Sequence, residues 1–107
     1  SLPFAIGVAL ADNKGKVYSV SGDGGFLMCM MELATAIELE LPIIHFIWQD
    51  NAYNLVAIQE QHKYHQTNAV QFKRPVDFVK IAKGFGAGAM KVSTSDQLSR
   101  AIKLAQK

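Results

Sequence analysis

The stretch "YSVSGDGGFLMCMMELATAI", residues Tyr18 to Ile37, changes its pattern at Gly22-Asp23-Gly24-Gly25. A β-branched, apolar run before these four residues predicts a strand over 16–21, and the apolar run after them predicts a helix over 26–40. Asp23 is therefore placed at the point where a strand ends and a helix begins. What its carboxylate binds there is the central question of this sequence.

A second apolar run, "IIHFIW" over residues 43–48, follows Pro42 and is too short for a typical helix. Strands without polar alternation are usually covered on both faces, as in the parallel sheets of α/β proteins. The strand, the helix and this second strand therefore predict one βαβ unit. The fold class that follows is α/β, as a three-layer α/β/α domain with a mainly parallel sheet.

Outside this unit the pattern predicts three helices, one turn, one polar loop and one small strand. They are a helix over 3–11, a turn over 12–15, a loop over 59–74, a helix over 76–83, a strand over 89–92, and a helix from a Ser95 cap through Leu104. The alternation of the two periodicities along the chain again indicates an α/β protein.

Composition excludes several classes of protein. The 107 residues make one domain, 1–107, and 50% hydrophobic with 19% charged residues is the balance of a soluble chain with a real core. The net charge of +2 comes from scattered residues, which excludes the basic stripe that nucleic-acid binding needs. No secretory signal and no apolar run of about 18 residues is present, so a membrane protein is not expected.

The cysteine count and the two ends of the chain give two further expectations. The single Cys29 cannot form an internal disulfide, which fits a reducing, cytoplasmic location. Ser1-Leu2-Pro3 opens directly on an apolar helical run, and Gln106-Lys107 closes a helix without a cap or tail. We therefore expect a piece of a longer protein, truncated at both ends.

Asp23 and Asp50 follow the two predicted strands at their carboxyl ends, 27 positions apart. A strand, a crossover helix and a return strand take about 30 residues, so parallel pairing brings both carboxylates to one edge of the sheet. Open α/β sheets bind ligands at that edge. Two carboxylates suit Mg²⁺ that also binds phosphate oxygens, and the glycines and the start of the following helix leave room for an anion. The residues predict a metal-bridged diphosphate.

The segment "GDGGFLMCMMELATAIELELPIIHFIWQDNAY", residues 22–53, resembles the cofactor motif of the thiamine diphosphate enzymes. In that motif GDG is followed, after one βαβ unit, by a turn that contains Asn or Asp. The segments "LPFAIGVALA", "YNLVAIQEQHKY", "FVKIAKGFGA" and "DQLSRAIKLA" resemble the pyrophosphate-binding domain of the acetolactate synthases, so nearly the whole chain is covered. The turn "DNAYNLVAIQ" is closer to the catabolic, flavin-independent type.

The resemblance implies a thiamine diphosphate-binding fold and a set of site residues. Asp23 and Asp50 would bind the metal through their carboxylates, and Ala52 through its backbone oxygen. The family often has Asn where Asp50 stands, so this site would carry one more negative charge. The remaining residues are implied to shape the turn (Gly22), to flank the diphosphate (Gly24, Gly25, Tyr53), to face the pyrimidine and thiazolium rings (Leu55, Val56) and to lie near the substrate (Gln59).

The activity implied is the condensation of two pyruvates to 2-acetolactate with loss of CO₂, with thiamine diphosphate and Mg²⁺ as cofactors. No catalytic residue is implied among these 107 residues. The glutamate that activates the cofactor belongs to a pyrimidine-binding domain, of the same or a neighbouring subunit, that the resemblance does not cover. A homo-oligomer is therefore implied, and the chain alone is expected to be inactive.

Three other interpretations stay open. The parent could be another thiamine diphosphate-dependent 2-keto acid enzyme, of the pyruvate oxidase or decarboxylase type. The chain could also be a non-catalytic, flavodoxin-like module that binds Mg²⁺ and a phosphorylated ligand, or an interaction domain that only assembles with full-length subunits. Among the histidines, His45 is interpreted as a satisfied core residue, and His62 and His65 lack the partners of a zinc site.

Overall fold

The computed structural model describes residues 1–12 and 14–107. Its elements are α1 (Leu2–Ala11), β1 (Val17–Gly22), α2 (Asp23–Leu27), α3 (Glu32–Glu38), β2 (Ile43–Trp48), α4 (Asn54–Tyr64), α5 (Phe78–Gly84) and α6 (Ser95–Ala105). The turn predicted over 12–15 includes Asn13, which lies outside the described residues. None of the helices in the described residues is long and apolar enough to cross a membrane.

The two strands pair in parallel, with Val17 opposite Ile43 and Gly22 opposite Trp48. The chain between them passes through α2 and α3, so the predicted βαβ unit is confirmed. The β-branched and aromatic residues of both strands suit a pleated, half-buried surface. Because the first residues of the two strands are paired with each other and so are the last, β1 and β2 end at the same edge of the sheet. The residues after Gly22 and Trp48 meet there.

The core lies between one face of this sheet and the helices. Six buried side chains form its centre: Leu2, Ile6, Phe26, Leu33, Ala36 and Phe78. The Phe26 ring meets Phe78 edge to face at 5.6 Å, and burying a side chain of this size stabilises a fold by about 1.5–3 kcal/mol. On the opposite face of the sheet, Tyr18, Val20 and Trp48 are exposed, Trp48 by 76%.

The helix predicted over 26–40 is two short helices, α2 and α3, joined by a turn over 28–31. In this turn the amides of Cys29 and Glu32 bond to carbonyls only three residues earlier. Residues 27–31 are apolar on every side, so hydrophobic periodicity could not separate a helix from such tight turns. The break leaves Phe26 and Leu33 buried in the same core.

The polar loop predicted over 59–74 is wrong in its first part, because α4 continues to Tyr64. This helix buries none of its residues, so it has no apolar stripe by which the sequence could have revealed it. It ends at His65, whose left-handed backbone (φ 55°) lets its amide bond to the Gln61 carbonyl. His62 therefore lies on a helix and His65 at its end.

Two further expectations differ from the structure near the carboxyl end. Residues 89–92 form no strand, since the described residues offer them no strand partner beside the β1–β2 pair. Thr94, and not Ser95, caps α6: its hydroxyl accepts the Gln97 amide at 3.3 Å, while the Gln97 side chain accepts the Ser93 amide. Such reciprocal capping favours the earlier residue.

His45 is held inside the sheet by two serine hydroxyls. Ser19 Oγ lies 2.6 Å from its Nδ1 and Ser21 Oγ 2.9 Å from its Nε2. Its ring also stacks on Phe26 at 5.5 Å between ring centroids. These contacts confirm the interpretation of His45 as a satisfied core residue, and burial lowers its pKa below the ordinary 6.5.

This lowered pKa predicts a loss of stability in mild acid. The unfolded chain takes up the proton near pH 6.5 and the folded chain only at lower pH. The contribution is therefore complete above pH 6.5 and is lost as the pH falls toward the folded pKa of His45. We expect His45→Gln to make the free energy of unfolding depend less on pH, as measured by urea unfolding between about pH 7.5 and 5.5. The exposed control His62→Gln should keep the pH dependence of the wild type. Equal slopes for both variants would contradict this assignment.

Candidate metal and diphosphate site

Asp23 lies at the junction of β1 and α2 with only 1% of its surface exposed. Its Oδ1 accepts the amide of Gly24 at 2.8 Å. Its Oδ2 accepts the amides of Asn51 at 2.7 Å and of Asp50 at 3.2 Å. An ionised carboxylate has about four acceptor positions, so these three bonds leave one position free on Oδ1.

The charge of Asp23 is not balanced by a basic side chain. Within residues 1–12 and 14–107 the structure contains one ion pair, between Lys80 and Asp77, on the surface. Buried charges are normally paired with an opposite charge or bound to a metal, because an isolated charge loses much of its solvation. The three amides stabilise the carboxylate but carry no net charge, so the site favours a cation.

Asp50 and Ala52 present further oxygens on the turn that follows β2. The exposed Asp50 carboxylate accepts Asn54 Nδ2 at 2.8 Å and the Ala52 amide at 3.3 Å, which fixes its orientation. Asn51 supports the turn with a left-handed backbone of φ 60°, which asparagine adopts readily. In the described residues the Ala52 carbonyl accepts no hydrogen bond, whereas those of Asn51 and Tyr53 do.

These three groups fit Mg²⁺. All are hard oxygen ligands, and Mg²⁺ usually takes one or two carboxylates and completes its octahedron with waters and phosphate oxygens. The described residues contain no cluster of three or more His, Cys, Asp or Glu side chains, so two carboxylates and a carbonyl are the donors that this edge offers. The predicted juxtaposition of the Asp23 and Asp50 segments is present.

Gly24 is required by the ring of Tyr53. A Cβ atom on Gly24 would lie 2.6 Å from Tyr53 Cδ1 and 2.8 Å from Cε1, which is closer than real Cβ contacts. Gly25 is exposed, and a Cβ there would meet nothing within 4 Å, as at Gly22. Gly22 has an extended backbone that any residue adopts. Gly22 and Gly25 thus leave open space beside the carboxylates, while Gly24 serves packing.

The residues expected to face the cofactor rings and the substrate lie on α4. Leu55 and Val56 are on its first turn with exposed side chains, and Leu55 is 72% exposed. Gln59 is one turn further along and is also exposed. The structure places all three on the helix that follows the turn with Asp50 and Ala52, at the surface of the described chain.

Sequence reasoning missed the segment 70–72. It pairs antiparallel with the turn through an Ala52–Gln71 bridge, in which the Tyr53 amide bonds to the Val70 carbonyl and the Phe72 amide to the Asn51 carbonyl, each at 2.8 Å. Val70 is buried. The signal that could have revealed it is the alternation of apolar Val70 and Phe72 around Gln71 inside a polar stretch.

The fold and this donor set are those of an α/β domain with a candidate cation site at the carboxyl edge of its parallel strands. Within that class, the chain belongs to the family described as "Thiamine pyrophosphate enzyme, C-terminal TPP binding domain", whose model matches residues 1–107. Thiamine diphosphate is the cofactor of this family. The resemblance found in the sequence is confirmed.

The chain is similar to curated acetolactate synthases. It is 48% identical over 103 residues to the acetolactate synthase of Bacillus subtilis (strain 168), covering 96% of this chain and 18% of that protein. It is 50% identical over 105 residues to the catabolic acetolactate synthase of Raoultella terrigena, covering 98% of this chain and 19% of that protein. The chain therefore spans about a fifth of the length of these relatives.

Two solved structures of other proteins support the fold. The thiamine diphosphate-dependent 4-hydroxybenzoylformate decarboxylase of Rhodococcus jostii RHA1 matches with a TM-score of 0.90 at 25% identity, over 97% of this chain and 20% of that one. Benzoylformate decarboxylase from Polynucleobacter necessarius matches with a TM-score of 0.88 at 26% identity, over 99% of this chain and 21% of that one. The α/β fold class is thereby confirmed.

Two adjacent glycines test the packing of the site without any ligand. Gly24→Ala forces a methyl group into the Tyr53 ring, and we expect it to lower the free energy of unfolding by about 1–3 kcal/mol. Gly25→Ala meets open space on the same short helix, so stability should stay unchanged or rise by up to about 1 kcal/mol. Urea unfolding of both variants measures the difference; a Gly24→Ala protein as stable as Gly25→Ala would contradict the close approach.

Proposed function

We propose that this chain is the thiamine diphosphate- and Mg²⁺-binding domain of an acetolactate synthase of the catabolic, flavin-independent type. The reaction would condense two pyruvates to 2-acetolactate with release of CO₂. The observation that carries the proposal is the buried Asp23 carboxylate, which has no basic partner among the described residues and is held by the amides of the turn that bears Asp50. The 48% and 50% identities to acetolactate synthases support the choice of reaction.

Each residue of the site has a role in this proposal. Asp23, Asp50 and the Ala52 carbonyl hold Mg²⁺. Gly22 shapes the turn, and Gly24, Gly25 and Tyr53 flank the diphosphate. When bound, thiamine diphosphate supplies the carbon nucleophile that attacks the keto carbon of pyruvate. Leu55 and Val56 present apolar surface that keeps water from the cofactor rings, and Gln59 offers an amide to the substrate.

The exposed apolar surface beside the site supports a partner domain. Leu55 and Val56 lie in solvent in the described chain, and large exposed apolar patches commonly mark interfaces. We infer that a pyrimidine-binding domain, from the same or a neighbouring subunit, covers them in a homo-oligomer. That domain would supply the glutamate that activates the cofactor. A cytoplasmic location is proposed as well, consistent with pyruvate as substrate.

Similar solved structures are decarboxylases, so a decarboxylase is the second candidate reaction. Their identities of 25% and 26% are about half of those to the acetolactate synthases, which therefore remain the better match. The two reactions differ in the electrophile that is added after CO₂ is lost. An acetolactate synthase adds a second pyruvate, and a decarboxylase adds a proton. Product analysis with pyruvate, scoring acetolactate against acetaldehyde, distinguishes them.

The metal assignment predicts unequal effects for the two carboxylates. In the full-length protein, Asp23→Ala should raise the Mg²⁺ concentration needed for thiamine diphosphate binding by at least about tenfold, because it removes a ligand. Asp50→Asn should change it less, since the amide keeps a coordinating oxygen and removes only charge. Calorimetric titration with both cofactors measures this, and Asp96→Ala on α6 is the matched control. A larger effect of Asp50→Asn would overturn the assigned roles.

The 107-residue chain by itself tests the division of labour. We expect it to form no acetolactate from pyruvate and Mg²⁺–thiamine diphosphate, because in the proposed enzyme the glutamate that activates the cofactor belongs to the pyrimidine-binding domain. The measurement is a colorimetric assay of acetolactate after acid conversion to acetoin, with the full-length protein as the positive control. Turnover by the rigorously purified chain would refute this expectation.

A further inference from the structure

We propose that the segment 70–72 positions the turn over residues 50–53, here called the cofactor turn, and that Phe72 is a positioning residue for binding of Mg²⁺ and thiamine diphosphate. This inference rests on the proposed function of the same site. Within the described residues, Phe72 makes no hydrogen bond to either of the two carboxylates. It would act through Asn51 and Tyr53, to which it is joined by a backbone hydrogen bond and a ring contact.

Backbone hydrogen bonds hold the turn on both sides of Ala52. The amide of Asn51 donates to Asp23 at 2.7 Å, and the carbonyl of Asn51 accepts the amide of Phe72 at 2.8 Å. Asn51 is thus held from both sides, between the buried carboxylate and the pairing segment. The second backbone bond, from the Tyr53 amide to the Val70 carbonyl, holds the other side of Ala52.

These two bonds aim the Ala52 carbonyl. In an antiparallel pair, successive backbone groups point alternately toward and away from the partner strand. Because Asn51 and Tyr53 bond to residues 70–72, the polar groups of Ala52 between them point away from that segment. The carbonyl with no hydrogen bond in the described residues is therefore turned outward by the pairing itself.

Side-chain contacts also connect Phe72 to the site. The Phe72 ring meets the Tyr53 ring edge to face, with 5.0 Å between centroids, and the Tyr53 ring also lies against Gly24. Gly24 directly follows Asp23 and donates its amide to that carboxylate. A continuous line of contacts, Phe72 to Tyr53 to Gly24, thus reaches the first carboxylate of the site.

The pairing segment is itself fixed in place. Val70 is buried, which anchors the segment in the domain. Ala69, directly before it, has a left-handed backbone with φ 57°, a conformation that is unfavourable for alanine and persists only where surrounding contacts impose it. The buried Val70 thus ties the segment to the rest of the domain beside the turn.

The experiment replaces Phe72 in the full-length protein and measures binding in addition to activity. Phe72→Leu removes the ring contact and keeps an apolar side chain; Phe72→Tyr keeps the ring, and its hydroxyl can reach solvent because Phe72 is half-buried. We expect Phe72→Leu to raise the Kd for thiamine diphosphate at fixed Mg²⁺ roughly three- to tenfold by calorimetry, the range of an aromatic pair, and Phe72→Tyr to restore it.

The chain offers a matched control in a second Tyr–Phe pair. Tyr18 and Phe46 stack at 6.5 Å on the sheet, away from the site. Phe46→Leu should lower the melting temperature of the ligand-free protein and leave the Kd unchanged.

Phe72→Leu should also raise the KM for the cofactor while kcat at saturating cofactor stays near wild type. Phe72→Met is made in parallel, so that a misfolded Phe72→Leu protein does not end the test.

The outcomes separate this inference from the proposed function. A wild-type protein without Mg²⁺-dependent binding of thiamine diphosphate overturns the proposed function, and this inference with it. Wild-type binding together with an unchanged Kd in folded Phe72→Leu or Phe72→Met overturns the positioning role alone. An equal loss of affinity in Phe46→Leu also overturns it, because the effect would then be one of general stability.

Discussion

The two hydrogen bonds from the amides of Asp50 and Asn51 to the Asp23 carboxylate are the interaction on which the site depends. They connect the end of β1 to the turn after β2, across 27 and 28 positions of the chain. Hydrogen bonds to a charged group contribute about 1.5–3 kcal/mol each, which offsets part of the cost of burying this carboxylate. Because the bonds join two strand ends, they also fix the turn that carries the other oxygens.

This arrangement makes the site preorganised. Asp23 is aimed by three amides, Asp50 by Asn54 and by its own turn, and the Ala52 carbonyl by the pairing of its neighbours with residues 70–72. A ligand set that is already oriented loses little conformational freedom on binding, so more of the interaction energy appears as affinity. The same amides replace part of the solvation that a buried carboxylate loses.

The sequence predicted the part of the site that is encoded locally. The strands predicted over 16–21 and 43–48 correspond to β1 and β2, and the distance from Asp23 to Asp50 along the chain suits one parallel crossover. What it missed depends on tertiary contacts. The partner of segment 70–72 lies about 20 positions earlier in the chain, so the short apolar–polar–apolar alternation of the segment does not reveal the pairing. The helix α4 buries none of its residues, so it lacks the apolar stripe by which helices are recognised. The role of Gly24 likewise becomes visible only with the Tyr53 ring in place.

The strand Ile43–Trp48 has a consequence for the behaviour of this chain in solution. Within the described residues it pairs only with β1, so its other edge presents free backbone donors and acceptors. Its sequence, "IIHFIW", has no acidic or basic residue apart from His45, no proline and no glycine, which is the composition of segments that stack into cross-β fibrils. Natural sheets protect such edges with charges, bulges or covering elements. Handled alone and at high concentration, the chain would therefore associate through the very strand that organises its cofactor turn.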